Sequence, residues 1–417
     1  MDEGLSAGAV WTITATALII LMTPALAFFY AGMTRVKSSL NMLMMSVVSM
    51  GIVAVVWTLW GSSMASSDGA LFELFGNPVA DFGAAASKGT DALLGISFNA
   101  AFAIVTVAII SGSIADRAKF GAWCLFVPLW VTFAYAPMAY AVWGGGLLSA
   151  EGTIGQWAGE ALDFAGGTVI HMNAGMAALV LALILGVRHG FGKDPEQRPH
   201  NLPLVMLGAA LLWVGWFGFN VGAASDDVQA ATILLNTIVC PAAAMLSWLL
   251  TEKIRDGRPT TFGAASAIVA GLVAISPACA DVDAVGAVLI GLATGVASAL
   301  AIGLKYKLNY DDSLDVVSVH LVSGFIGTIA LGFLALPSEG SAGGLLYGGG
   351  AAQLWAQVVS TVFALAYSAA VTAILGLAIH RAIGFRVEET VERDGIDEHQ
   401  HAESAYHFGS FNIAARR

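Results

Sequence analysis

Long apolar runs, broken by short polar loops, set the pattern of this chain. Eleven of them are long enough to cross a hydrocarbon layer as helices: near 9–32, 39–61, 94–115, 120–143, 164–187, 202–224, 229–251, 261–279, 283–304, 315–336 and 351–384. The last covers about 34 residues, roughly 50 Å as a helix, and must tilt steeply or project beyond the bilayer. The pattern predicts an all-α polytopic membrane protein with eleven transmembrane helices over 1–384 and a cytoplasmic tail over 385–417.

Charge fixes the expected orientation. Lys and Arg occupy the odd-numbered loops (Arg35, Lys37; Arg117, Lys119; Arg188, Lys193, Arg198; Lys253, Arg255, Arg258; Lys305, Lys307) and the tail (Arg381, Arg386, Arg393, Arg416, Arg417). The even-numbered loops hold only Lys88, so 17 of 18 basic residues lie on one side, which the positive-inside rule makes cytoplasmic. The amino terminus is therefore expected outside and the carboxyl terminus inside. At 57% hydrophobic and 11% charged residues, the composition excludes an ordinary soluble domain, where about 25% are charged. The start, Met1-Asp2-Glu3-Gly4, lacks the basic region of a signal peptide, so the first span is expected to be retained. The net charge of −11 sits mostly in outer loops and tail and says little about a charged partner; no nucleic-acid partner is expected. Cys124, Cys240 and Cys279 are scattered and suggest neither disulfides nor a metal site.

The candidate chemistry lies in spans five and ten. A helix starting near Asp163 puts His171 roughly 12 Å along its axis, approaching the midplane of a layer about 30 Å thick. An intramembrane histidine is costly and marks a functional site, unless it is a structural residue bonding a neighbouring helix. His171-Met-Asn-Ala-Gly175 is echoed by His320-Leu-Val-Ser-Gly324, and Phe28-Phe-Tyr-Ala-Gly32 by Phe217-Gly-Phe-Asn-Val-Gly222. Spans five and ten run in opposite directions, which predicts an inverted 5+5 repeat (about 9–187 and 202–336) plus a long eleventh helix over 351–384. The small residues after each histidine would let the two helices approach closely. No third ligand has suitable register, so no metal or cofactor is expected. Two paired neutral imidazoles instead suit a small neutral molecule or a proton relay.

Aromatic residues cluster towards the outer side. Trp143-Gly-Gly-Gly146 ends span four; the tryptophan is either an interfacial belt residue or a ligand-facing one. Phe98 and Phe102 are one turn apart and share a face, and Phe219 lies near the outer end of span six. Core packing is one explanation of these phenylalanines; attraction of a cation by aromatic faces is the other. Asp163 reads as the N-cap of span five, with a charge that favours a nearby cation.

On these residues the chain resembles the Amt/Rh ammonium transporters, on the Amt side. The match spans nearly the whole sequence, through Phe28-Phe-Tyr-Ala-Gly-Met33, Leu40-Asn-Met-Leu-Met-Met45, Ala115-Asp-Arg117, Trp143-Gly-Gly-Gly146, Asp163-Phe-Ala-Gly-Gly167, Gly215-Trp-Phe-Gly-Phe-Asn220, Asp311-Asp312 and the tail from Glu392 to Tyr406. The resemblance implies a homotrimer in the plasma membrane of a prokaryote, with one pore per subunit. It implies substrate recruitment by Trp143, Phe98 and Asp163, a gate of Phe102 and Phe219, and a pore lined by His171 and His320. It also implies a PII-type signalling protein docking on the cytoplasmic face. One position departs: the family's usual serine four residues after the gate phenylalanine is Ala223, with Ser225 two further on.

The physics is compatible with that resemblance. A bare cation loses on the order of 20 kcal/mol by the idealised Born estimate on entering a low-dielectric layer, and an aromatic mouth returns about 2 kcal/mol. Ammonium can thus be recruited there, whereas neutral ammonia avoids the Born cost. An ammonium sensor on the same scaffold and a membrane enzyme with histidine-bound metal are the competing classes. Only 32 residues follow Phe385, too few for a fused signalling domain.

Overall fold

The computed structural model describes residues 4–66, 71–84, 89–193, 197–338 and 341–406. Lys88, Arg416, Arg417 and the first three residues lie outside the described residues. Among the described residues the chain is helical, with isolated β-bridges and no strand. In chain order the membrane-scale helices are α1 (Ala7–Met33), α2 (Val36–Ser66), α3 (Thr90–Ile114), α4 (Phe120–Trp143), α5 (Gly167–Leu185), α6 (Leu202–Val221), α7 (Asp227–Asp256), α8 (Thr261–Ile275), α9 (Ala284–Leu308), α10 (Val317–Leu334) and α11 (Ala352–Ile383). All but α8, ten among the described residues, are long and apolar enough to cross a membrane.

Several helix starts follow from side-chain capping, in which a short polar residue accepts from otherwise unpaired N–H groups. Ser6, Asn201, Asp226, Thr260 and Asp283 cap α1, α6, α7, α8 and α9. The apolar run expected over 261–279 ends as a helix at Ile275, because Pro277 has no N–H to continue the ladder. At 15 residues, α8 is about 22 Å long. Beyond its end, the carbonyls of Ser276 and Pro277 accept from Ala165 and Phe164, at 3.1 and 3.2 Å. The end of α8 thus grips the segment that leads into α5.

Helices α1 and α6 lie antiparallel, tied at both ends. Trp11 Nε1 donates to the Val221 carbonyl (3.3 Å), and the Asn201 N–H to the Gly32 carbonyl (3.1 Å). Helix α11 has its polar face inward: Gln357, Ser360, Thr361, Ser368 and Thr372 are buried, while Val362 and Ile374 are exposed. Ser368 donates to the Asn173 carbonyl of α5 (2.7 Å), and Thr372 accepts from Trp130 Nε1 of α4 (3.0 Å). In hydrocarbon such bonds satisfy polar groups that lipid cannot.

One end of the bundle carries a buried ionic cluster built from four separate loops. Arg188 pairs with Asp311 (2.8 Å) and Asp116 (2.9 Å), Arg35 approaches Asp116 (3.8 Å), and Arg117 lies 3.9 Å from Asp311. Burial alone would raise the Asp311 carboxyl, yet Arg188 and Arg117 hold it below its usual range. The chain after α11 folds back onto this cluster. Lys119 N–H donates to the Phe385 carbonyl and Val387 N–H to the Arg117 carbonyl, both at 2.9 Å, with Phe385 wholly buried. Glu392 pairs with Arg386 (2.7 Å) and accepts from the His189 N–H (2.6 Å). Asp397 accepts from Leu40 and Asn41 N–H at 3.0 and 2.8 Å. The tail up to Tyr406 is therefore docked on the body of its own chain.

Candidate functional site: an aromatic cavity above a histidine pair

The start of α5 differs from the sequence reading. Gly166, at φ +91°, turns the chain, and the helix begins at Gly167, not near Asp163. His171 therefore lies in the first turn of α5, not 12 Å along it. The Asp163 carboxylate fills the gap. Its Oδ1 accepts from Gly166 (2.9 Å) and Gly167 (2.5 Å), and its Oδ2 from Thr168 (2.9 Å) and Val169 (3.2 Å). Burial pushes this carboxyl up to about 6, against the opposing pull of the four N–H groups.

The second histidine is presented in a parallel way. Asp312 Oδ2 accepts from Val317 N–H (2.7 Å) at the start of α10. Asp163 and Asp312 each stand eight residues before a histidine. Both histidines sit in six-residue π-helical turns, Gly167–Met172 and Val317–Val322. Such turns are rare and recur at functional sites.

The two helices meet through the small residues the sequence singles out. A Cβ at Gly175 would lie 2.6 Å from the Leu321 nitrogen, and one at Gly324 would lie 3.1 Å from the His171 Cβ. Only glycine permits the first approach. The result is an imidazole pair, His171 Nδ1 to His320 Nδ1 at 3.4 Å, with both rings buried. One Nδ1 donates and the other accepts, so the two rings carry opposite tautomers. His171 Nε2 is buried and has no partner among the described residues.

Aromatic rings continue outward from this pair. Phe219 stands 5.9 Å from His171 by ring centroids, Phe102 4.5 Å from Phe219, and Phe98 4.8 Å from Phe102. Phe102 and Phe219 are buried. Beyond them opens a cavity of about 460 Å³ lined by residues that include Trp57, Phe98, Asn99, Trp143 and Ala223. Trp143 Nε1 donates to the Asp163 carbonyl (2.8 Å), which fixes its ring against the cavity. The structure thus brings together Phe98, Phe102, Trp143, Phe219, His171 and His320. Asp163 meets the cavity through its bond to Trp143; its carboxylate is turned to the start of α5, and among the described residues no carboxylate lines the cavity.

Sequence reasoning assigned no role to Trp216, which stacks on His171 at 5.6 Å and 23° and donates to Ser276 Oγ (2.8 Å). Its signal is the spacing of three residues from Phe219, which puts both rings on one helix face. Asp312 was legible as the repeat of the Asp163-to-His171 spacing. Among the described residues no group of three or more His, Cys, Asp or Glu is placed to hold a metal ion. Chemically, the arrangement offers cation-attracting ring faces without a countercharge, then an apolar constriction, then donor and acceptor imidazole edges.

These features define a multi-pass helical membrane protein with an aromatic cavity stacked on a buried histidine pair. The model of the Ammonium Transporter Family matches residues 10–406. The chain is 49% identical to an ammonium transporter of Mycobacterium tuberculosis over 95% of its own length and 90% of that protein. Among solved structures it resembles one titled Sensor Amt Protein (TM-score 0.86, 28% identity, covering 95% of this chain and 98% of that one). It also resembles Candida albicans Mep2 (TM-score 0.84, 30% identity, covering 92% and 87%). The chain belongs to the ammonium transporter family, and its curated relatives are named as transporters, which are not enzymes.

Proposed function

We propose that this protein takes up ammonium across the plasma membrane of a prokaryote, as a homotrimer of eleven-span subunits with the amino terminus outside and the tail in the cytoplasm. Trp143 and Phe98 recruit the cation through their ring faces. Asp163 supports them by fixing Trp143 and the start of α5. Deprotonation takes place near Phe102 and Phe219, ammonia passes His171 and His320, and the imidazole pair relays the proton. Potassium, which has no proton to lose, is rejected by the Born cost. A PII-type protein docking on the cytoplasmic face is the proposed regulatory partner.

The observation that carries this reading is the column of rings from Phe98 through Phe102 and Phe219 to a histidine pair at 3.4 Å. Helices α1–α5 and α6–α10 form the proposed inverted repeat, supported by the matched Asp-to-His spacing and π-helical turns. A second reading, an ammonium sensor with little flux, is favoured by the likeness to the structure titled Sensor Amt Protein. Ammonium-driven current in proteoliposomes separates them. Robust current that depends on His171 and His320 supports transport; ammonium binding without current supports sensing.

A further inference from the structure

The cavity outside Phe102 poses a problem that its aromatic rings do not solve. An ammonium ion carries four N–H donors in fixed directions, and a π face attracts its charge without discriminating N–H from any other cation of similar size. Most polar groups on the cavity wall are already engaged. Trp143 Nε1 is bound to the Asp163 carbonyl and Trp57 Nε1 to the Ile96 carbonyl (3.1 Å), while the Ser66 hydroxyl donates to the Ser62 carbonyl (2.8 Å). Ala223 contributes no polar side-chain atom to the wall. Among the described residues that line the cavity, two uncommitted side chains are left, one on α2 and one on α3. Ser62 Oγ is buried without a partner, and the exposed Asn99 amide has no hydrogen-bond partner among the described residues. Asn99 lies between Phe98 and Phe102 on α3 and lines the same cavity as both.

We propose that Asn99 is a specificity-determining residue of the outer cavity, its amide oxygen accepting an N–H of ammonium held against the Phe98 and Trp143 rings. The amide supplies direction and the rings supply charge attraction. Hydrogen bonds with an ionised partner are roughly twice as strong as neutral ones, so one uncharged acceptor is enough to bias a cavity that no carboxylate lines among the described residues.

This proposal rests on the ammonium reading above, and one experiment tests the two separately. Ammonium-dependent current is measured in proteoliposomes for the wild type and for Asn99→Leu, Asn99→Asp, Asn99→Gln and Trp143→Leu. Asn99→Leu should raise the half-saturating concentration about tenfold, or 1.4 kcal/mol, with saturating current within about twofold of wild type, since the residue acts only in recruitment. Asn99→Gln, which keeps an amide, should recover most of that loss. Asn99→Asp should lower the half-saturating concentration about threefold or more by adding charge. If Asn99→Leu stays within twofold of wild type while Trp143→Leu does not, the cavity reading stands and the role of Asn99 is overturned. Should Asn99→Leu fail to assemble, an unmoved half-saturation in Asn99→Asp overturns it equally. A wild-type protein without saturable ammonium current would instead remove the transport reading itself.

Discussion

Asp163 offers the sharpest separation between an electrostatic and an architectural role. Its carboxylate accepts from four consecutive backbone N–H groups, Gly166 to Val169, and is nearly buried. Asp163→Ala leaves all four donors unpaired. Each stranded buried donor costs about 1–3 kcal/mol, so the gross loss is roughly 4–12 kcal/mol, comparable with the ~5–15 kcal/mol stability of a whole domain. Asp163→Asn keeps one carbonyl oxygen, which can serve Gly166 and Gly167, and turns an NH₂ group towards Thr168 and Val169. Its gross cost is about half, roughly 2–6 kcal/mol. The expected order of thermal midpoint, measured on purified protein in detergent, is wild type, then Asn, then Ala. Transport should follow the same order, because the turn these bonds hold carries His171. If Asp163 acted only by attracting a cation, Asn and Ala would both weaken ammonium affinity and leave the midpoint alone. An Ala variant as heat-resistant as wild type would refute the capping argument.

Further outcomes are expected. His171→Ala and His320→Ala should each strongly reduce current, and the double variant should lose little more, because paired groups share their interaction and are non-additive; His171→Glu should admit potassium. Phe219→Ala should change conductance more than Phe102→Ala, and Trp143→Leu should weaken selection of ammonium at low concentration while folding stays intact, as read from uptake curves. Asp397→Ala strands the Leu40 and Asn41 N–H groups at a cost of about 1–2 kcal/mol, and should alter flux as deletion of the tail does, with unchanged oligomeric state on size exclusion. Since Asp311 is held below its usual range by Arg188 and Arg117, it stabilises the fold above the ordinary carboxylate pKa of about 3.9. That contribution is lost as pH falls through its lower folded value, so Asp311→Asn should flatten the acid limb of a thermal-midpoint titration.

How much of this was legible in the sequence depends on the range of the interaction. The pairing of His171 with His320 was readable because each is followed, four residues on, by a glycine, and both glycines pack against the opposite histidine helix. The shared face of Phe98 and Phe102 was equally local, set by one helical turn. The start of α5 was misplaced because apolar periodicity cannot register the left-handed turn at Gly166, which delays the helix until Gly167. The end of α8 was overrun for a related reason, an apolar run continuing past Pro277 after its hydrogen-bond ladder had stopped. Least visible was the cluster of Arg35, Asp116, Arg188 and Asp311, whose members come from four loops with no common spacing. The docking of the tail was not legible, because its partners Leu40, Asn41 and Arg117 lie more than 250 residues upstream.

The Nδ1-to-Nδ1 contact between His171 and His320 has a directional consequence. A proton that enters at one Nε2 and leaves from the other reverses which ring holds the shared hydrogen. The pair then stands in the mirror arrangement and cannot pass a second proton the same way until both imidazoles have exchanged tautomers. In the proposed relay such a site would be a ratchet with one stored bit, not a passive wire. Ammonia molecules would file past without touching that bit, whereas every proton would wait for it to be reset. Proton flux would thus be governed by a step distinct from ammonia flux, and replacing H₂O by D₂O should slow the current far more than it slows uptake of the neutral gas.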